Sequence, residues 1–164
     1  MHEFNISENE LKIAKDFFSC NDIELLTAQA IKINQSQPNF SAVVLALEMH
    51  GLQRSKVEEI LESIFVVYYA QTVLKQRIIN QITFQQIKEN VRWFEEFIRY
   101  YNEEKQIGSD DLLLIKFIRD NVVLDFALNT LRNLFINSTN IPREVVFGYF
   151  SILKAIEMGA EKGK

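Results

Sequence analysis

The side chains that most often carry catalysis or bind metals are scarce and poorly spaced in this sequence. The two histidines are His2 and His50, and neither follows a glutamate by three residues, the spacing that di-iron carboxylate bundles use. The single cysteine, Cys20, cannot complete a zinc site with one well-placed histidine. No serine occupies a Gly-x-Ser-x-Gly setting, and the five glycines form no phosphate-binding loop. The sequence therefore predicts no catalytic residues, no metal and no cofactor, and we expect a protein that is not an enzyme.

One polar ridge has the spacing to face a binding pocket. It comprises Asn121, Asp125, Asn129 and Arg132. Residues three or four apart share one side of a helix, so these four side chains lie in a row among apolar neighbours. The first interpretation is a small-ligand-binding helical bundle, in which a closed cavity is lined by Tyr68, Tyr69 and Asp125. The other is a solvent-facing edge of an amphipathic helix.

A second group of residues has the spacing of a helix–turn–helix unit. The buried positions and the turn glycine would be Leu47, Gly51, Val57 and Ile60. The recognition helix would then start with residues able to reach phosphates and base edges, namely Gln53, Arg54, Ser55 and Lys56. Glu58, Glu59 and Glu62 follow on the exposed side of the same helix and would repel the DNA backbone. A DNA-binding regulator is therefore kept as an alternative, while we expect no nucleic-acid binding.

Charge and hydropathy exclude several broad classes of protein. The chain has 18 basic and 22 acidic residues, a formal net charge of −4, and no basic run that would mark a nucleic-acid surface. The longest apolar run, IFVVYYA at Ile64–Ala70, is far shorter than the roughly 20 residues that cross a bilayer. The N-terminal residues are acidic and polar, unlike a secretory signal or a transit peptide. We expect a cytoplasmic protein with no membrane contact.

The elements that position these residues are predicted to be helices. Five glycines and two prolines are too few for the many turns of an all-β fold. Capping boxes, in which a helix-initiating side chain and a residue three positions later exchange hydrogen bonds, are predicted at Ser7–Glu10, Ser55–Glu58 and Thr83–Gln86. The expected helices span about 7–19, 22–34, 40–50, 55–80, 83–101, 109–137 and 140–158. We therefore expect an all-α fold, a single-domain bundle of six or seven helices over residues 1–164, with residues 159–164 frayed.

The aromatic content suggests a function in protein binding. Thirteen phenylalanines and five tyrosines are more than one core of this size needs, and aromatic residues are enriched at protein interfaces. The run IFVVYYA, apolar on every side, must be covered by its own domain or by a partner. The candidate interface residues are Phe65, Tyr68, Tyr69, Trp93, Phe97, Tyr100 and Tyr101. We expect a helical interaction or adaptor protein that forms a homodimer through the fourth or fifth helix and binds another protein; the alternative is a core rich in phenylalanine.

Overall fold

The computed structural model describes residues 5–103, 117–138 and 141–162. These residues form seven α-helices and no strand, which confirms the all-α prediction. The helices are α1 (Glu8–Phe18), α2 (Ile23–Ser36), α3 (Pro38–Leu45), α4 (Arg54–Tyr69), α5 (Phe84–Glu103), α6 (Asn121–Leu134) and α7 (Arg143–Lys162). A 3₁₀ turn, Ala46–His50, follows α3, and a π-helical turn, Ala70–Leu74, follows α4. Within the described ranges, no helix is both long enough and apolar enough to cross a membrane.

Helix α4 is the central element of the bundle. It contacts α1, α3, α6 and α7. As a result, every residue of Ile64–Tyr68 is at most 7% exposed. Most of the run that is apolar on every side is therefore covered by the chain itself.

Helices α5 and α7 form an antiparallel pair beside this centre. The ring centroids of Phe94 and Phe147 are 5.3 Å apart, and the Asn90 side-chain amide donates to the Ser151 carbonyl oxygen at 3.1 Å. The contacts thus run in opposite directions along the two helices. Ile87 and Phe94 supply the buried face of α5, at the helical spacing predicted from the sequence.

Capping residues fix the positions of several helix ends. Ser7 and Glu10 form the predicted capping box of α1, and Thr83 and Gln86 exchange the corresponding hydrogen bonds before α5. Gly51 ends the 3₁₀ turn in the left-handed conformation, with φ of 85°, which glycine adopts without a steric penalty. The capping box predicted at Ser55 is wrong, because α4 already begins at Arg54 and has no side-chain cap.

Other predicted boundaries are corrected by contacts between distant parts of the chain. The fourth helix ends at Tyr69 and not near residue 80, since residues 76–82 continue without helical structure. The helix predicted over 109–137 is interrupted at 118–120; residues 109–116 lie outside the described residues. Helix α3 starts at Pro38, where the missing backbone N–H costs nothing. Helix α7 extends to Lys162, and its Ala160 is fully buried, so residues 159–162 are not frayed.

Two glycines of α7 should respond oppositely to the same substitution. A Cβ at Gly159 would lie 2.8 Å from Cγ2 of the buried Ile79, whereas a Cβ at Gly148 meets Val43 and Leu47 at 3.8 and 3.9 Å. We expect Gly148→Ala to raise the free energy of unfolding by up to about 1 kcal/mol, the helix-propensity gain. Gly159→Ala should lower it by about 1–2 kcal/mol, because overpacking exceeds that gain. Urea unfolding of both variants measures the difference, and equal stabilities would contradict the packing argument.

Candidate functional sites

The first candidate site is a groove beside the segment that joins α4 to α5. We call it the linker groove. It lies between Ile78–Ile82, the first half of α5 and the last half of α7, and has a volume of about 230 Å³. Its lining residues are Ile78, Asn80, Gln81, Ile82, Gln86, Glu89, Asn90, Ala155, Met158, Gly159 and Lys162.

The wall at Ile78–Ile82 is held in place by a buried carboxamide. Gln37, which is 0% exposed, accepts the backbone N–H of Ile82 through Oε1 at 2.8 Å. Its Nε2 donates to the carbonyl oxygen of Asn80 at 3.1 Å. Asn39 adds a hydrogen bond of 2.9 Å to the carbonyl oxygen of Ile82. These side chains replace hydrogen bonds that residues 79–82 would make in a helix, so this segment is held in a non-helical conformation.

The linker groove combines an apolar floor with carboxamide walls. Ala155, Met158 and Ile82 contribute apolar surface, and Gly159 brings the backbone of α7 close to the linker. The side chains of Asn80 and Gln81 make no hydrogen bond to any other described residue. Ile78, at the edge, is 69% exposed, and Met158, on the floor, is 38% exposed. The groove therefore offers carboxamide donors and acceptors next to uncovered apolar surface, and its lining also includes the charged Glu89 and Lys162.

The second candidate site is a cleft between α1, α4 and α6. We call it the polar cleft. Its volume is about 250 Å³. It is lined by Lys15, Ser19, Glu59, Glu62, Ser63, Val66, Phe126, Asn129, Thr130 and Asn133.

The floor of the polar cleft is built from linked hydroxyl groups. Ser63 lies 2.6 Å from the Ile60 carbonyl oxygen and 2.8 Å from the fully buried Tyr149 hydroxyl. Thr130 donates to the Phe126 carbonyl oxygen at 2.9 Å. Burial raises the pKa of Tyr149 to about 12, although the two hydroxyl partners oppose the rise. Tyr149 is therefore a neutral structural link and not an acid or base at neutral pH.

Carboxylates and an aromatic ring form the walls of the polar cleft. Glu59 and Glu62 lie on the same side of α4, and neither makes an ion pair or hydrogen bond with another described residue. Burial, and secondly the charge of Glu59, raises the pKa of Glu62. On the α6 side, the ammonium of Lys15 lies 5.6 Å from the centre of the Phe126 ring. The cleft thus holds two carboxylates and one ammonium group.

The polar ridge predicted on α6 reaches this cleft at one position. Asn129 lines it, whereas Asn121, Asp125 and Arg132 are exposed outside it. Tyr68 and Tyr69 do not line it either; Tyr68 is buried at 7% exposure, and Tyr69 stacks on Phe17. The sequence analysis missed Ser63, Thr130 and Asn133. Asn133 lies four residues after Asn129 and therefore on the same side of α6, so it could have been predicted from the sequence as part of the ridge.

The predicted DNA-contacting residues surround a turn whose apolar positions are buried as expected. Leu47, Val57 and Ile60 are at most 5% exposed. However, the Arg54 guanidinium is ion-paired with Glu48 at 2.9 Å and with Glu58 at 3.1 Å. The Lys56 ammonium lies 4.5 Å from the centre of the Phe135 ring. Gln53 and Ser55 are exposed. The positive charge of Arg54 is thus already paired, which disfavours the DNA-binding alternative.

The predicted interface residues lie in different environments. Phe65 and Tyr68 are buried, at 6% and 7% exposure, and belong to the core of this chain. Tyr69 stacks on Phe17, with ring centroids 4.6 Å apart. Trp93 is 44% exposed and stacks on Phe117 at 4.9 Å. The side chains of Phe97, Tyr100 and Tyr101 lie outside the described part of the structure.

No group of three histidine, cysteine, aspartate or glutamate side chains is placed to hold a metal ion within residues 5–103, 117–138 and 141–162.

Among known proteins, no family model, no curated sequence and no solved structure matches this chain. Its function therefore has to be argued from the linker groove and the polar cleft.

Proposed function

We propose that this protein is a non-enzymatic, cytoplasmic helical interaction protein that binds an extended segment of another protein in the linker groove. The observation that carries the proposal is the combination of carboxamide walls with an apolar floor. Asn80 and Gln81 stand on one side of the groove, Asn90 stands on α5, and Met158 lies on the floor.

An extended peptide is the ligand that this chemistry fits best. Each peptide unit presents one N–H donor and one C=O acceptor, and a carboxamide side chain supplies the complementary pair. Burying peptide groups without such partners would cost free energy, so the exposed carboxamides of Asn80 and Gln81 favour a main-chain ligand. The apolar floor, with Ala155 and Met158, would cover small apolar side chains of that segment. The exposed Ile78 supplies further apolar contact at the edge.

Site-specific photo-crosslinking tests this proposal. Replacing Ile78 by p-benzoylphenylalanine in the source cell should crosslink one partner, and mass spectrometry should locate the adduct in an extended apolar segment. The matched control places the same photoreactive residue at Ile23, which is 76% exposed on α2, against 69% for Ile78. A synthetic peptide of the crosslinked segment should then bind the purified protein, as measured by fluorescence anisotropy.

A charge on the groove floor should abolish this binding. Met158→Glu is expected to weaken peptide binding by about tenfold or more, because a carboxylate would be desolvated against the apolar ligand. Ile23→Glu, on α2, should leave it unchanged. Equal crosslinking from positions 78 and 23, or equal peptide affinity of the two glutamate variants, would contradict the proposal.

The proposed homodimer now depends on α5 alone. The apolar run of α4 does not support a homodimer, because other helices of the same chain cover most of that run. On α5, Phe84 is 59% exposed and Trp93 is 44% exposed, so large aromatic surfaces are available for a second copy. Light scattering at tens of micromolar protein decides the question: a mass of 19.2 kDa, that of one chain, would contradict the dimer.

A further inference from the structure

Helix α2 lies at the surface of the bundle and presents apolar side chains to solvent. It packs mainly on α3, and within its described length, Ile23–Ser36, only Ile33 is buried. Leu25 is 46% exposed and Ile31 is 51% exposed, and Ala28 between them is exposed as well. Uncovered apolar side chains grouped on one helix face are typical of a contact surface.

The same helix carries two charged groups that the fold does not use. Glu24 and Lys32 are the only charged residues of α2, and both are exposed. Neither side chain is ion-paired with another described residue. On the peripheral helix α5, in contrast, the exposed Arg92 pairs with Glu96 at 3.1 Å. One carboxylate and one ammonium group of α2 can therefore pair with another molecule.

The exposed residues of α2 are arranged symmetrically about Ala28. Glu24 and Lys32 lie four residues before and after it, and Leu25 and Ile31 lie three residues before and after it. An α-helix turns by about 100° per residue, so the first pair lies about 40° to either side of Ala28 and the second about 60°. All five residues consequently share one face, with Ala28 at its centre.

Two copies of this face are complementary when the helices run antiparallel. A two-fold axis at Ala28 brings Glu24 of each copy to the level of Lys32 of the other, and Leu25 to the level of Ile31. The small Ala28 side chain lets the two helix axes approach closely. A parallel pair would instead place Glu24 beside Glu24 and Lys32 beside Lys32, and like charges repel. The charges therefore select the antiparallel arrangement.

We infer that α2 is a self-association surface, through which two copies of this chain pair antiparallel with Ala28 at the centre. One face of a 14-residue helix, about 21 Å long, offers less than the roughly 800 Å² per partner of a standard interface. The pairing is therefore weak and forms at high protein concentration. The surface is separate from the linker groove and from the exposed aromatic residues of α5, so each proposal can fail without the others.

Analytical ultracentrifugation of the full chain between about 10 and 500 µM tests the inference. The mass should rise with concentration from 19.2 kDa, that of one chain, toward twice that value. Ile31→Glu should weaken the association by about tenfold or more, because its carboxylate would be desolvated against Leu25 of the other copy. The matched control is Ile23→Glu. Ile23 is 76% exposed on the same helix but lies about 140° around it from Ala28, so this variant should associate like the native protein.

Charge exchange separates the proposed pairing from a fault in folding. Glu24→Lys and Lys32→Glu each turn the two attractive pairs into repulsive ones, and each should weaken the association by about threefold to tenfold. The double variant, which carries both substitutions, restores opposite charges at each level and should associate like the native protein. A native chain that stays at 19.2 kDa throughout would overturn the inference. So would association that Ile31→Glu leaves unchanged, which would assign the contact to another surface such as α5, or a double variant that associates no better than the single ones.

Discussion

Replacing Gln37 by leucine is expected to lower the free energy of unfolding by about 3–5 kcal/mol. The substitution keeps the side-chain volume but removes every polar contact of a residue that is 0% exposed. The N–H of Ile82 and the carbonyl oxygen of Asn80 would lose their partners, at distances of 2.8 and 3.1 Å, inside the protein. Each buried group left unsatisfied costs about 1–3 kcal/mol. Urea unfolding followed by far-UV circular dichroism measures the loss.

The control for this prediction lies two residues earlier, in the last turn of α2, the helix that Gln37 follows as its C-cap. Gln35 is exposed, and Gln35→Leu should change the free energy of unfolding by less than about 0.5 kcal/mol. If both variants lose the same amount, Gln37 does not hold the linker. Gln37→Glu is expected to be harmful too, since a carboxylate keeps the acceptor for Ile82 but faces the carbonyl oxygen of Asn80 without a proton to donate.

The features that the sequence predicts correctly depend on residues close together in the chain. The capping boxes at Ser7 and Thr83 are exchanges between residues three positions apart, and the left-handed cap at Gly51 depends on one residue type. Helical periodicity likewise indicated the buried face of α5, including Ile87 and Phe94. Each of these signals lies within one helix or at one of its ends, so it can be recognised without knowledge of the tertiary structure.

The boundaries that the sequence analysis missed are set by contacts between distant residues. The non-helical conformation of the segment before α5 is supported by Gln37, which is 45 residues from Ile82 in the chain. The start of α6 depends on Asp120, which lies 114 residues from its partner Ile6. Asp120 is a local N-cap candidate for α6, but its bond to Ile6, like that of Gln37 to Ile82, joins groups that only the folded chain brings near.

The residues of the candidate sites could be predicted only where their signal lies within one helix. Asn129 was identified because it belongs to a ridge within one helix. Ser63 and Thr130 were not, since a serine and a threonine inside amphipathic helices give no signal until Tyr149 is placed between them. The carboxylates Glu59 and Glu62 were interpreted as part of an exposed helix face, and both are exposed; the packing of α1 and α6 beside them forms the cleft that they line.

Replacing Asp120 by alanine is expected to lower the free energy of unfolding by about 2–4 kcal/mol. Asp120 is 3% exposed and caps α6 by accepting the backbone N–H groups of Val122 and Val123, at 3.0 and 3.2 Å. Its other oxygen accepts the N–H of Ile6 at 2.5 Å, which fastens the N-terminal segment to the bundle. A lost cap costs about 0.5–2 kcal/mol, and the unpaired N–H of Ile6 adds to it. Asp125→Ala, at an exposed position on the same helix, should cost less than about 0.5 kcal/mol.

The pH dependence of this loss tests the role of Asp120 more closely. Burial raises the pKa of Asp120 above 3.8, with a smaller contribution from Glu157, although the hydrogen bonds from Ile6, Val123 and Val122 oppose the rise. A folded-state pKa above the unfolded-state pKa means that the folded chain binds the proton of Asp120 more tightly than the unfolded chain does. The contribution of this proton to the free energy of unfolding is therefore present in acid, and it is lost as the pH rises through the folded-state pKa. The stability difference between the native protein and Asp120→Ala should therefore be larger at about pH 3 than at neutral pH. Carboxylates common to both proteins cancel in this difference. A difference that instead grows toward neutral pH would show that the ionised carboxylate is the form that the fold favours, and that its three backbone hydrogen bonds outweigh its burial.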